Sequence, residues 1–151
     1  MIYNTGIEAI ISGLSAVLIA QLAKIFTFYF KTKEINFEYL STTGGMPSSH
    51  SAGVCALTTS VGLISGFDSM LFAVSTGYAV VVMHDAAGVR KKTQDMAKLL
   101  NKIIRDFYKS DLKTKSAQLK ELLGHTPKEV FVGAVTGIAI ALVVHALFMP
   151  K

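Results

Sequence analysis

The stretch GHTPKEVFVGAVTGIAIALVVHALFMP, residues 124–150, reads as one membrane-crossing helix with its start marked. Thr126 can cap the helix, Pro127 falls at the first helical position, and Glu129 completes a capping box. Residues 130–149 are apolar and long enough to cross about 30 Å of hydrocarbon. Gly133 and Gly137 form a GxxxG pattern, which lets a second helix approach closely. His145, near the far end, reads as an interfacial residue rather than a ligand.

The rest of the chain has the same character. It has 151 residues, enough for a single domain over 1–151, and 51% of them are hydrophobic. A mean hydropathy of +0.47 is high for a soluble domain. Residues 6–30 form a first apolar run with Lys24 near its end and Phe26, Phe28, Tyr29 and Phe30 beside it. Residues 1–8 hold no Lys or Arg, so this run is expected to be a retained span rather than a cleaved signal. Lys24 can snorkel as an anchor or face a site between helices, and intramembrane charges usually face the bundle interior.

Two shorter apolar runs follow, about 51–66 and 70–83, joined by the turn Gly66-Phe67-Asp68-Ser69. Small residues, among them Ala52, Gly53, Ala56, Ala73, Gly77 and Ala79, favour close packing. A helical hairpin through the membrane is expected; a buried pair in a soluble domain is the alternative. Residues 94–107 place Met96, Leu99, Leu100, Ile103, Ile104 and Phe107 at helical spacing opposite Lys98, Lys102 and Arg105. That pattern predicts an amphipathic helix lying on the membrane or docked on the bundle. A polar loop over 109–115 and a short helix over about 116–123 complete the plan. Cys55, the one cysteine, cannot form an internal disulfide.

The expected fold is therefore all-α: an integral membrane bundle of about four transmembrane helices plus a cytoplasmic amphipathic helix. Eleven of the fifteen Lys/Arg residues lie between Arg90 and Lys128, which puts that segment in the cytoplasm. With four spans, Lys31 and Lys33 fall on the same side and both termini lie outside. Asp68, Lys151 and Glu8 are the external charges.

A second punctuated stretch, TTGGMPSSHS at 42–51, precedes the second run. Gly44 and Gly45 allow a turn with positive φ, Pro47 suits a first helical turn, and Ser48 or Ser49 can cap it. Free N–H groups at a helix start, two hydroxyls and His50 make a seat for phosphate. A loop that only caps a helix would look the same at this stretch alone.

The topology adds a further expectation. Lys24 ends the first span on the face where His50 begins the second. Asp85 and Arg90 end the third there, and His125 and Glu129 begin the fourth. Such a gathering suits phosphoryl transfer. Cations and helix ends hold the phosphate, one neutral histidine attacks phosphorus, and a protonated one serves the leaving oxygen. His125 and Glu129 are four residues apart, so they can meet on one helix face. His84-Asp85 resembles the dipeptide of metal-dependent phosphohydrolases, but the basic neighbours oppose a cation. No metal and no cofactor are expected, and His84 reads as a polar helix-end residue.

The blocks GGMPSSHSA (44–52), MHDAAGVR (83–90) and LKELLGHTPKEV (119–130) resemble the divergent, small bacterial and plastid branch of the type-2 phosphatidic acid phosphatase and vanadium haloperoxidase superfamily. The resemblance implies a metal-independent membrane phosphatase. By position, His125 would be the nucleophile that forms a phosphohistidine, and Glu129 would stand where the family has an orienting aspartate. His50 would be the general acid, and Ser48 and Ser49 would contact phosphate oxygens. This sequence departs from the pattern in places. Leu119 occupies the spacing of the third-motif arginine, with Lys120 or Arg90 as substitutes, and Asp85 as a supporting group. Lys24, or else Lys31, would be the first-motif lysine, and Ser49 replaces a glycine.

The expected activity is hydrolysis of a phosphomonoester or diphosphate on a lipid at the cytoplasmic face of the cell membrane. The partners are that lipid and the membrane, with a homodimer possible and no nucleic acid. The competing readings are a non-catalytic protein that binds anionic lipid or serves membrane assembly, and a small transporter subunit. The transporter ranks last, because the span centres carry few polar groups.

Overall fold

A computed structural model describes residues 3–33, 45–107 and 124–149. Lys120, the loop over 109–115, the short helix over 116–123 and most of the 31–43 connection lie outside these residues. So do the side chains of Lys31 and Arg90. The described residues are helical, with no strand among them.

The helices are α1 (Gly6–Thr32), α2 (Ser49–Ser65), α3 (Met70–His84), α4 (Arg90–Phe107) and α5 (Pro127–Phe148), with a π-helical turn, Asp85–Val89, fusing α3 to α4. Among the described residues, three stretches are long and apolar enough to cross a membrane: Gly6–Phe30, Met70–Val89 and Pro127–Phe148. The sequence plan of four spans is met only in part. The 17-residue α2 rises about 25 Å at 1.5 Å per residue, short of the usual span. It stands at the centre of the bundle, packed against α1, α3 and α5.

Local chemistry fixes the ends. The α5 capping box forms as the sequence predicts: Thr126 Oγ1 accepts from Glu129 N at 3.4 Å, and Thr126 N donates to Glu129 Oε2 at 3.1 Å. At α2 the cap is Ser48, which accepts from Ser51 N at 3.3 Å. Pro47 therefore precedes the cap rather than opening the first turn, and the Met46–Pro47 peptide bond is cis. The hairpin turn also forms. Gly66 takes φ +91°, where a side chain would be strained, and Ser69 caps α3 by accepting from Phe72 N.

The bundle closes on small side chains. Ala16, Ala20, Ala52, Ala56 and Ala141 are fully buried. Large apolar side chains such as Leu14, Phe26, Phe131 and Leu147 point outward, the reverse of a soluble domain. Helix α1 buries one stripe at every fourth residue: Glu8, Ser12, Ala16, Ala20 and Lys24, none more than 2% exposed. Gly133 and Gly137 lie against the α2 backbone, where an added Cβ would meet Ser48 and Ala52 carbonyl oxygens. By contrast Gly77 and Ala73 on α3 face outward, because among the described residues α3 packs mainly on α2. Helix α4 leaves the bundle beyond the π turn with Met96, Leu99, Leu100 and Ile103 exposed along its apolar side.

Candidate active site

His125 is held before α5 by main-chain and side-chain bonds. Its backbone N–H donates to Ala86 O in the π turn at 3.3 Å. A π turn widens the helix and can release a carbonyl to an outside donor, and such turns often mark functional sites. The His125 ring is 1% exposed, and its Nδ1 lies 3.1 Å from Glu129 Oε2. The same carboxylate oxygen closes the capping box, so one residue both starts α5 and fixes the imidazole. With Nδ1 held, the other ring nitrogen, Nε2, is the one that can act as a nucleophile.

His50, in the first turn of α2, brings its ring edge-on to His125, with centroids 6.1 Å apart. Its position follows from the Ser48 cap. Ser48 N donates to Glu129 O at 3.0 Å, which ties the start of α2 to the start of α5. Ser48 and Ser49 are buried beside the pair. Ser48 Oγ accepts from Ser51 N and Ser51 Oγ and can still donate its own proton. Gly45, at φ +93°, turns the chain over the aliphatic stem of Lys24, and Met46 O accepts from Thr27 Oγ1 at 2.8 Å.

Lys24 is 2% exposed and lies within electrostatic reach of Glu129. A buried lysine needs a compensating anion, and a bound phosphate would add to the one the carboxylate supplies. Asp85 opens the π turn and shares with His50 the lining of a cavity of about 340 Å³. His84 is exposed at the end of α3. Among the described residues no group of three or more His, Cys, Asp and Glu is arranged to hold a metal.

The structure thus brings together His125, Glu129, His50, Ser48, Ser49 and Lys24, with Asp85 at the margin. The Arg90 backbone starts α4 beside the π turn; its side chain, like Lys120, lies outside the described residues. Two polar ends of helices, α2 and α5, converge on the histidines, and their dipoles favour an anion there.

One arrangement went unread in the sequence. Glu8, assigned there to the external side, is fully buried, and His145, assigned to the interface, binds it at 2.6 Å. Asn4 N donates to the second Glu8 oxygen at 2.7 Å, and Tyr3 stacks on His145 at 5.2 Å. This pair joins α1 to α5 at the end of the bundle opposite His125. The period-four stripe on α1 carried the signal, since it puts Glu8 on the face of the buried alanines. The Ala86 carbonyl left no signal, because a π turn has no distinctive side-chain pattern.

The fold and this cluster define a small helical membrane protein with a histidine pair at two converging helix starts. Residues 6–140 match the Divergent PAP2 family, and the chain belongs to it. It is 43% identical over 150 residues to the uncharacterized membrane protein YuiD of Bacillus subtilis (strain 168), covering 93% of this chain and 95% of that one. No solved structure matches it.

Proposed function

We propose that the protein is a lipid phosphate phosphatase that works through a phosphohistidine on His125. The observation that carries this reading is the buried His125 held 3.1 Å from the half-buried Glu129, with the His50 ring edge-on to the His125 ring at 6.1 Å. His125 Nε2 attacks phosphorus and forms the N–P bond while the P–O bond to the lipid breaks. Glu129 accepts from Nδ1–H and stabilises the imidazolium. His50, protonated, gives its proton to the leaving oxygen, which departs as the lipid alcohol or, from a diphosphate, as the lipid monophosphate. Water then attacks the phosphohistidine, with His50 taking its proton, and inorganic phosphate leaves. Lys24, Ser48, Ser49 and the two helix starts hold the phosphate oxygens and their developing charge.

In this reading α2 serves as a fourth, short crossing. The basic segment from Arg90 to Lys128 supports a site at the cytoplasmic face, with α4 on the lipid surface. Phosphate release by the purified protein from a panel of lipid phosphates, with EDTA present, tests the proposal beside His125→Ala. Release that persists in EDTA and vanishes in the variant is expected. Folded protein that releases nothing from any member would leave a lipid-binding role instead, and release abolished by EDTA would require a metal.

A further inference from the structure

The π turn Asp85–Val89 reaches both histidines. Its Ala86 carbonyl accepts from His125 N at 3.3 Å. The preceding residue, Asp85, is half-buried and lies with His50, Ala86 and Tyr78 on the wall of a cavity of about 340 Å³. The His50 and His125 rings stand 6.1 Å apart, so the turn, the cavity and the two rings form one continuous unit.

The carboxylates divide between the histidines. Glu129 Oε2 lies 3.1 Å from His125 Nδ1 and accepts from Thr126 N, which commits that group to the start of α5. His50 stands in the first turn of α2, where the free N–H groups of the helix start present positive charge. Lys24 brings a buried cation to the same site. A proton held on His50 in such surroundings calls for an anion beside it. Among the described residues, the charged and titratable groups around His50 are Lys24 from α1, Tyr78 from α3, Asp85 from the π turn, and His125 and Glu129 from α5. Of the two carboxylates, Asp85 is the one that shares the cavity wall with His50.

We propose that Asp85 is the positioning residue of His50: its carboxylate orients the His50 ring and keeps a proton on it for the leaving oxygen. The site then holds two carboxylate–histidine couples, one for the nucleophile and one for the acid. Asp85 stays ionised throughout. The proton passes from His50 to the leaving oxygen, and water returns one to His50 as it attacks the phosphohistidine. The role rests on the phosphatase reading above; the couple itself rests on the turn and the cavity.

Two measurements on the full-length protein in detergent test this. The first needs no turnover. The chain has four histidines, so the ring-nitrogen NMR signals of isotope-labelled protein can be assigned one by one with histidine variants. At neutral pH, Asp85→Asn should shift both His50 ring-nitrogen signals toward the neutral pattern and leave those of His145, at the far end of the bundle, in place. Asp68→Asn, in the hairpin turn, should leave His50 unchanged. The second measurement compares dodecyl phosphate with para-nitrophenyl phosphate. An alkoxide needs a proton in order to depart, whereas nitrophenolate does not. In Asp85→Asn, kcat/KM, which reports the first transfer, should fall at least about tenfold for dodecyl phosphate and stay within about threefold for para-nitrophenyl phosphate. Their kcat values should both fall, because water attack still needs His50. Asp85→Glu should recover part of the loss, and Asp85→Asn combined with His50→Gln should lose no more than His50→Gln alone.

An equal fall in kcat/KM for both phosphates, additive losses in the double variant, or His50 signals indifferent to Asp85→Asn would each overturn the proposal. Shifted His50 signals in a protein that releases phosphate from neither compound nor the lipid panel would keep the couple and discard the phosphatase. Release by the wild type with unshifted His50 signals in Asp85→Asn would do the reverse.

Discussion

Replacing Gly133 by alanine should destabilise the protein and open the candidate site, although alanine is the better helix former. The added Cβ would lie 3.1 Å from both Ser48 N and Ser48 Cβ, and closer still to Ser48 O. Carbon contacts settle near 3.5–4.0 Å, so α5 and α2 must part by roughly 1 Å at this level. Ser48 cannot swing away, because its hydroxyl caps α2 and its N–H is bonded to Glu129 O. Overpacking of this kind costs about 1–3 kcal/mol, and the gain in helix propensity returns about 1 kcal/mol. With backbone as the obstacle the upper part of that range applies, for a net loss of about 2 kcal/mol. For a chain of this size that lowers the unfolding midpoint by about 4–8 °C. Gly77→Ala is the internal control, since nothing lies within 4 Å of its added Cβ. It should raise the midpoint by about 2–4 °C, from propensity alone. Thermal unfolding of the three proteins in one detergent reads both effects. Midpoints that move in the same direction would refute the close α2–α5 contact. Phosphate release by Gly133→Ala should also fall about a hundredfold, because a 1 Å displacement separates His125 and Glu129 from His50.

Other outcomes follow from the same contacts. Glu129→Gln keeps the capping box but loses the carboxylate behind His125. Phosphate release should fall by at least about a hundredfold, with stability held within about 0.5 kcal/mol; unchanged release would remove Glu129 from the chemistry. His145→Ala leaves the Glu8 carboxylate buried without its imidazole and should cost about 3 kcal/mol, read by thermal unfolding. Adding Glu8→Ala should recover part of that loss, and strict additivity of the two changes would deny the pairing. Spin labels at Leu99 and Ile103 of α4 should collide mainly with dissolved oxygen in bilayers, and labels at Lys98 and Lys102 with a water-soluble nickel reagent. The opposite pattern would take α4 off the lipid surface.

Much of this molecule is written in local signals. Thr126, Pro127 and Glu129 announce the start of α5, and Gly66 and Ser69 announce the hairpin turn; each is a short-range bond that needs no partner helix. The meeting of His50 with His125 was readable because membrane topology leaves few arrangements. Residues at corresponding helix ends must share a face. What escaped depends on contacts between distant elements. The role of Pro47 turned on which serine caps α2, a choice made by the Ser48–Glu129 backbone bond. The π turn, and with it the Ala86 carbonyl that accepts from His125 N, joins segments nearly forty residues apart. Glu8 and His145 are 137 positions apart, and each looks ordinary until α1 and α5 are set side by side. The central α2 shows the same limit: its 17 residues make it a short span, whereas packing makes it the axis of the bundle.

The central claim concerns one nitrogen atom, and it can be examined directly. The protein would be mixed with a labelled lipid phosphate, quenched in alkali within the first turnover, and digested for mass spectrometry. Phosphohistidine survives alkali and is lost in acid. An acid-labile phosphoryl group is expected on His125, increased in His50→Ala, where the leaving-group proton and the activation of water are both impaired, with water attack the slower step. A protein that turns over its lipid yet carries no phosphate on His125, or carries it on another residue, would contradict the account.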